Sequence, residues 1–282
     1  VSDLPDLPSL LELTDAGDHR YEVFQPAESA EGRDVVFSGQ LLGQTIMASD
    51  RAAGSAKDVR SIHTIFARAG TYTKPILLEV DSMHSGRTWA SDTVTASQDG
   101  RLLCRSLVLL NTVDADLMRH DPDAPAGVPR PDELESGPAQ AFPGVEMRAV
   151  PGERTVGGVP VEMAWHRFER PLALPAANQA VLVWATCGNV IGLAMRPHRE
   201  QVRIEDAHVA LSTGVIGHTV HFTDRIDVAR WLLVVTEATK AANGRVFGGG
   251  SVFTEEGSLV AVFQQDAMAK TAEVSLDPRR SM

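Results

Sequence analysis

Residues 230–265 read RWLLVVTEATKAANGRVFGGGSVFTEEGSLVAVFQQ. Three runs rich in Val, Leu, Phe and Thr, Trp231–Thr239, Arg245–Thr254 and Leu259–Ala267, are separated by turn residues at Asn243-Gly244 and Glu256-Gly257. The stretch therefore predicts an antiparallel meander, extended on its N-terminal side by a strand candidate at His208–Thr223. Such a sheet must bury one face. Upstream, Ala177, Ala180, Val181, Trp184, Ala185, Gly188, Ile191 and Gly192 form one stripe of a helix predicted over about Ala176–Met195, which supplies the cover. A strand candidate at Val161–Glu169 precedes that helix.

The same order occurs once before. FSGQLLGQTIMASDRAA from Phe37 places Leu41, Leu42, Thr45, Ile46, Ala48, Ala52 and Ala53 at helical spacing, and strand candidates follow at Arg60–Arg68, Ile76–His84, Thr88–Ser97 and Leu102–Leu110. Gly86 to Gly100 spans 14 residues and Gly244 to Gly257 spans 13, so the turns of the two halves correspond. One repeat of this length is a duplicated domain, not a solenoid. The expectation is an α+β protein of two fused units: residues 1–115, a Pro/Gly/Asp-rich surface linker over 116–159, and 160–282. Setting the sheets edge to edge would remove two exposed edges.

Composition narrows the function classes. Of 282 residues, 26 are Lys or Arg and 37 are Asp or Glu, a net charge of −11 that repels polyphosphate, so no nucleic-acid partner is expected. Apolar runs fall short of a bilayer span, so no membrane partner is expected either, and the acidic N-terminal residues lack a basic leader, which makes the cytoplasm the expected location. Two cysteines, Cys104 and Cys187, provide neither a disulfide framework nor a metal cluster. No GxSxG elbow, P-loop or HExxH is present.

FSGQLLGQTIMAS, SIHTIFARAGTYTKPILLEV, SGRTWASDTVTASQDGRLL and the Arg230–Gln265 meander, in that order, resemble the acyl-CoA thioesterase II family. The resemblance implies a double hotdog, two units each of a long helix wrapped by an antiparallel β-sheet. It also implies hydrolysis of a fatty acyl-CoA to free acid and coenzyme A by a bound water, with no cofactor beyond the coenzyme A of the substrate. In the family an Asp, a Thr or Ser and a Gln hold that water. The Gln matches Gln265, the Asp position in WATCGNVIG is Cys187, and the Thr position counted back from HTVHF is Val215. Sheet edges of such folds pair between subunits, so a homo-oligomer, dimer or tetramer, is expected.

Two of the three family positions therefore lack their usual groups, which leaves an acyl-CoA binding protein as the alternative. Thr213 shares a strand face with Val215 by alternation, and a register change would bring its hydroxyl to the water. Glu205 and Asp206 are further candidates from the loop before it. Cys187 has three readings: a small core residue, a nucleophile that needs His208, His218 or His221 as base, or a wall of the site. In regular alternation His218 faces away from Thr213 and His221. Gly39, Gln40 and Gly43 at the first helix start, His63 on its strand, and Asn189 beside Cys187 are candidate substrate contacts, with close packing as the competing role for the glycines and a helix-end role for Asn189.

Overall fold

Helix α1 (Ser38–Ala52) begins where Phe37 leaves extended backbone, and it buries nearly its whole circumference, Gln40, Gln44, Thr45 and Ser49 included. Burial on all sides follows from its position between a curved sheet and a second helix layer. The computed structural model describes residues 11–24, 34–54, 57–135, 144–200 and 211–271. Glu205, Asp206 and His208 lie outside them.

Around α1 run β1 (Thr14–Gly17), β2 (Arg20–Val23), β3 (Asp58–Phe66), β4 (Ile76–Ser85), β5 (Trp89–Gln98) and β6 (Arg101–Asn111). The second half contributes β7 (Val145–Ala149), β8 (Arg154–Val156), β9 (Val159–Phe168), β10 (Leu211–Phe222), β11 (Leu232–Ala242), β12 (Arg245–Thr254) and β13 (Leu259–Thr271). All thirteen form one sheet in the order β1-β2-β4-β5-β6-β3-β10-β13-β12-β11-β9-β7, with β8 on β9. The halves join through β3 and β10, antiparallel from Ser61↔His221 to Ile65↔Gly217, so each edge is satisfied by the other as expected.

Two features depart from the sequence reading. The linker is not wholly irregular, because β7 and the short β8 both pair with β9. Here Glu146 bridges Arg148 and Arg167, whose guanidinium groups lie 5.0 and 4.6 Å from the Trp231 ring centre. The second helix is also not continuous. It is α2 (Pro175–Thr186) followed by α3 (Asn189–Met195), with Cys187 in extended backbone and Gly188 at φ +97 between them, a conformation that favours glycine. By length and composition Pro175–His198 passes for a membrane span, yet 67% of its apolar window is buried inside the fold, where α2 packs on α1.

That packing depends on Gly43. A Cβ there would lie 2.9 Å from Leu11 Cδ2 and 3.2 Å from the Ala180 carbonyl oxygen on α2, closer than side-chain carbon normally comes. Gly43→Ala is expected to push the helices apart and cost about 1–3 kcal/mol, read as a lower midpoint in urea unfolding. An unchanged midpoint would remove this close approach from the account.

Candidate active site

A single row of inward-facing residues crosses the sheet at the join of the two halves. Thr64 of β3 opposes His218 of β10, His218 opposes Gln265 of β13, and Gln265 opposes Gly248 of β12. His218 reaches this row because of a bulge. Val215 pairs with Ala267 and Gly217 with Asp266, so Ile216 is an extra residue in β10. One extra residue reverses the alternation, and Thr213, Val215 and His218 all face the helices. The expectation that His218 faces away from Thr213 is thereby corrected, and with it the shared face of Thr213 and His221; His221 does face away from His218, as expected, and is exposed.

Gln265 has no exposed surface. Its Oε1 accepts a hydrogen bond from the Gly188 amide at 2.9 Å, and its Nε2 has no hydrogen-bond partner among the described residues. The φ of Gly188 and the break in the helix aim that amide at β13. Opposite, a side chain on Gly248 would collide with the Glu237 carbonyl and lie 2.6 Å from Val190 Cγ1 of α3, so a glycine here lets α3 seat against the sheet. His218 is 1% exposed. Its Nε2 lies 3.4 Å from Thr186 Oγ1, whose own proton goes to the Val183 carbonyl at 3.0 Å. With Thr186 accepting, Nε2 carries the ring proton and Nδ1 is a lone pair without a hydrogen-bond partner among the described residues. Burial pulls the imidazole down to about 4, against a smaller upward pull from Gln265, so the ring is neutral at pH 7.

Cys187 is buried at the C-terminal end of α2, its Sγ 3.1 Å from Ser38 Oγ at the start of α1. Burial pushes the thiol up to about 12, with Ser38 acting weakly the other way. A protonated thiol whose hydrogen-bond partner among the described residues is a serine hydroxyl does not meet the requirements of a nucleophile. Gly39 permits this contact, since a Cβ there would come within 3.0 Å of Cys187 Cβ. Phe37 and Trp184, with ring centres 5.6 Å apart, add an apolar wall.

The remaining candidates are distributed as follows. Thr213 pairs with Ala269, four residues along β13 from Gln265 and thus about 13 Å away along the strand; the anticipated register change does not occur. Val215 sits two residues from the Gln265 row and is half-buried. Asn189 donates to the Ala185 carbonyl at 3.1 Å, the helix-end role. Gln40 is buried and donates, as Gln44 does, to the Phe24 carbonyl, anchoring the segment after β2. His63 faces outward, bonded to Thr219 Oγ1 at 2.6 Å, on the opposite side of the sheet from Gln265, so the structure does not bring it to the Gln265 row. Two surface hollows, one lined by residues such as Glu22, Thr95 and Arg105 and one by residues such as Thr219, His221 and Phe247, include neither Gln265 nor His218 in their lining. His218 and Thr186 were not singled out together from the sequence. The signal for them was Gly217, since an isolated glycine in a strand pattern marks a bulge.

Residues 26–112 match the family model described as the acyl-CoA thioesterase N-terminal domain, and residues 120–269 match that of the C-terminal domain. Among curated relatives, acyl-CoA thioesterase 2 of Haemophilus influenzae is 24% identical over 272 residues, covering 89% of this chain and 93% of its own. A crystal structure of an acyl-CoA thioesterase II, TesB2, from Mycobacterium marinum superposes with a TM-score of 0.80 at 22% identity, over 95% of this chain and 99% of that one. A protein with a hot dog fold from Alicyclobacillus acidocaldarius gives 0.75 at 18% identity, over 95% and 98%. The structural likeness gives this chain a double hotdog fold, and with both halves of the chain matched in order by the family models, the protein belongs to the acyl-CoA thioesterase II family.

Proposed function

We propose that the protein hydrolyses an acyl-CoA thioester to the free acid and coenzyme A by attack of a water molecule held at Gln265. The observation that carries this reading is the Gln265 carboxamide, fully buried, with Oε1 tied to the Gly188 amide and Nε2 available as a fixed donor. A donor fixed before substrate arrives orients the water oxygen without reorganisation during the reaction. Phe37, which lies beside Gly188 and packs on Trp184, and Val190, which lies against Gly248 opposite Gln265, are apolar side chains that suit an acyl chain. The thioester carbonyl needs an oriented nucleophile and hydrogen-bond donors, so the reading calls for no metal or prosthetic group.

The test is release of free coenzyme A from short, medium and long acyl-CoAs, resolved by chromatography so that thiol reagents do not meet Cys104 or Cys187. Turnover well above the uncatalysed rate is expected. Saturable binding with no turnover across the panel would replace this reading with that of an acyl-CoA binding protein. Cys187→Ala is expected to leave the turnover rate within about 3-fold of wild type, under 1 kcal/mol of barrier, and intact mass during turnover is expected to show no acyl adduct. An adduct on Cys187 would transfer the chemistry to the thiol.

A further inference from the structure

We propose that His218 is a catalytic residue, its Nδ1 accepting the proton of the water molecule that Gln265 Nε2 holds. The inference rests on the hydrolase reading above and supplies the base that the cysteine at the family's Asp position cannot be.

Three observations converge on it. First, His218 and Gln265 are directly opposed on β10 and β13 and face the same way, which sets their Cβ atoms about 5 Å apart. That row exists only because of the bulge at Ile216. Second, among the described residues each presents one polar atom without a hydrogen-bond partner while 0–1% exposed, and the two atoms, on adjacent side chains, are complementary: Nε2 of Gln265 is a donor, and Nδ1 of His218 is a lone pair when Thr186, whose own proton goes to Val183, accepts from Nε2. Buried polar groups of this kind are otherwise satisfied by protein or water. A water between them accepts from Gln265 and donates to His218, leaving its second lone pair to attack. Third, the ring is held on its other sides, by Thr186 through Nε2 and by Phe263, whose ring centre is 6.1 Å away in a stacked arrangement. The imidazole is therefore oriented as a base must be. Burial of the ring, with its downward effect on basicity, gives Nδ1 a proton affinity close to that of an ordinary carboxylate.

The step balances without a further reactant. As the water oxygen bonds to the carbonyl carbon, one water proton passes to Nδ1. The carbon–sulfur bond then breaks, and the proton on Nδ1 goes to the departing coenzyme A sulfur, which restores neutral imidazole. The acid that forms loses its remaining proton to solvent. Cys187, Ser38 and Val215 take no proton in this scheme.

Two measurements test the assignment. His218→Asn and His218→Phe, checked for folding by circular dichroism, are compared with wild type in coenzyme A release and in binding of a non-hydrolysable acyl-CoA thioether. The turnover rate is expected to fall at least 100-fold, with thioether affinity within about 3-fold. Folded variants that turn over within 3-fold of wild type would overturn the assignment while leaving the hydrolase reading intact; a wild type that releases no coenzyme A would overturn both. The second measurement needs no substitution. A high-resolution crystal structure of the wild-type protein is expected to place one ordered water about 2.7–3.2 Å from both Gln265 Nε2 and His218 Nδ1. A direct bond between the two side chains, or Nδ1 bonded to a protein donor, would overturn the proposal.

Discussion

Acidification from pH 7 to pH 4 is expected to remove about 6 kcal/mol of folding stability, through two buried histidines. His166 on β9 and His218 on β10 are 7% and 1% exposed, and burial pulls each from an ordinary 6.5 to about 4. Both are therefore neutral when folded and protonate readily when unfolded. Between pH 6.5 and 4 the unfolded chain binds the more protons, so stability is full above that window and falls as the pH falls through it. A shift of this size corresponds to about 3 kcal/mol for each ring. The residues paired with His218, Thr64 and Gln265, and those paired with His166, Leu232 and Met147, carry no charge that could compensate. Asp224, held below the usual carboxylate range chiefly by its hydrogen bond from Arg119, loses its contribution at still lower pH. Asp92, raised by burial, acts in the opposite sense around and above the ordinary carboxylate range. A typical domain has about 5–15 kcal/mol in total, so the expected loss is of the order of the whole. Urea unfolding at a series of pH values from mildly alkaline down to 4 reads it directly. A midpoint that stays constant on acidification would mean that one or both imidazoles reach solvent or a partner in the native protein.

The course of the chain was largely legible from periodicity. The Trp231–Ala267 meander, the Phe37 helix and the four strands after it all lie within a few residues of their expected positions, and β3 and β10 do join the halves edge to edge. What periodicity could not carry was any interruption of itself. Gly188 sits in a run of apolar residues whose stripe passes through the break, and only the tertiary need to aim an amide at Gln265 distinguishes a kink from a helix there. Ile216 looks like any strand residue, yet it reverses the facing of everything before it relative to everything after it. Alternation counted across it put His218 on the wrong side relative to Thr213. β7 and β8 are short and lie among Pro, Gly and charged residues, and they are strands because β9 offers an edge, not because of their own pattern.

For the site, the family resemblance pointed to Gln265 and to the residues at the two other positions, Cys187 and Val215. It could not indicate what stands in for them, since that depends on which side chains the bulge and the helix break bring together. The resulting arrangement is free of charge among the described groups that meet there: the Gln265 carboxamide, the neutral His218 imidazole, the Thr64 hydroxyl and the Gly188 amide. Under the proposed mechanism, stabilisation of the reacting water depends on donors fixed in a buried site, where each is worth more than in water.

That dependence makes Gln265→Ala the substitution with the largest expected effect on catalysis. On the proposed reading truncation removes the donor to the water oxygen, and it frees the Gly188 amide from its partner, so that both the nucleophile and the α2–α3 junction would lose their anchor. Loss of one preorganised donor slows turnover by about 100- to 1,000-fold, or about 3–4 kcal/mol of barrier. Gln265→Glu is a useful companion: it keeps an acceptor for Gly188 but replaces the donor with a carboxylate, and the rate is expected to fall about as far while the fold is better preserved. The most direct measurement is the turnover rate for coenzyme A release by wild type and Gln265→Ala on the best substrate of the panel, with thioether binding measured on the same samples. A drop of about 100-fold or more with binding retained is the predicted result. Equal rates in the two proteins would contradict the account, because the water would then be held elsewhere.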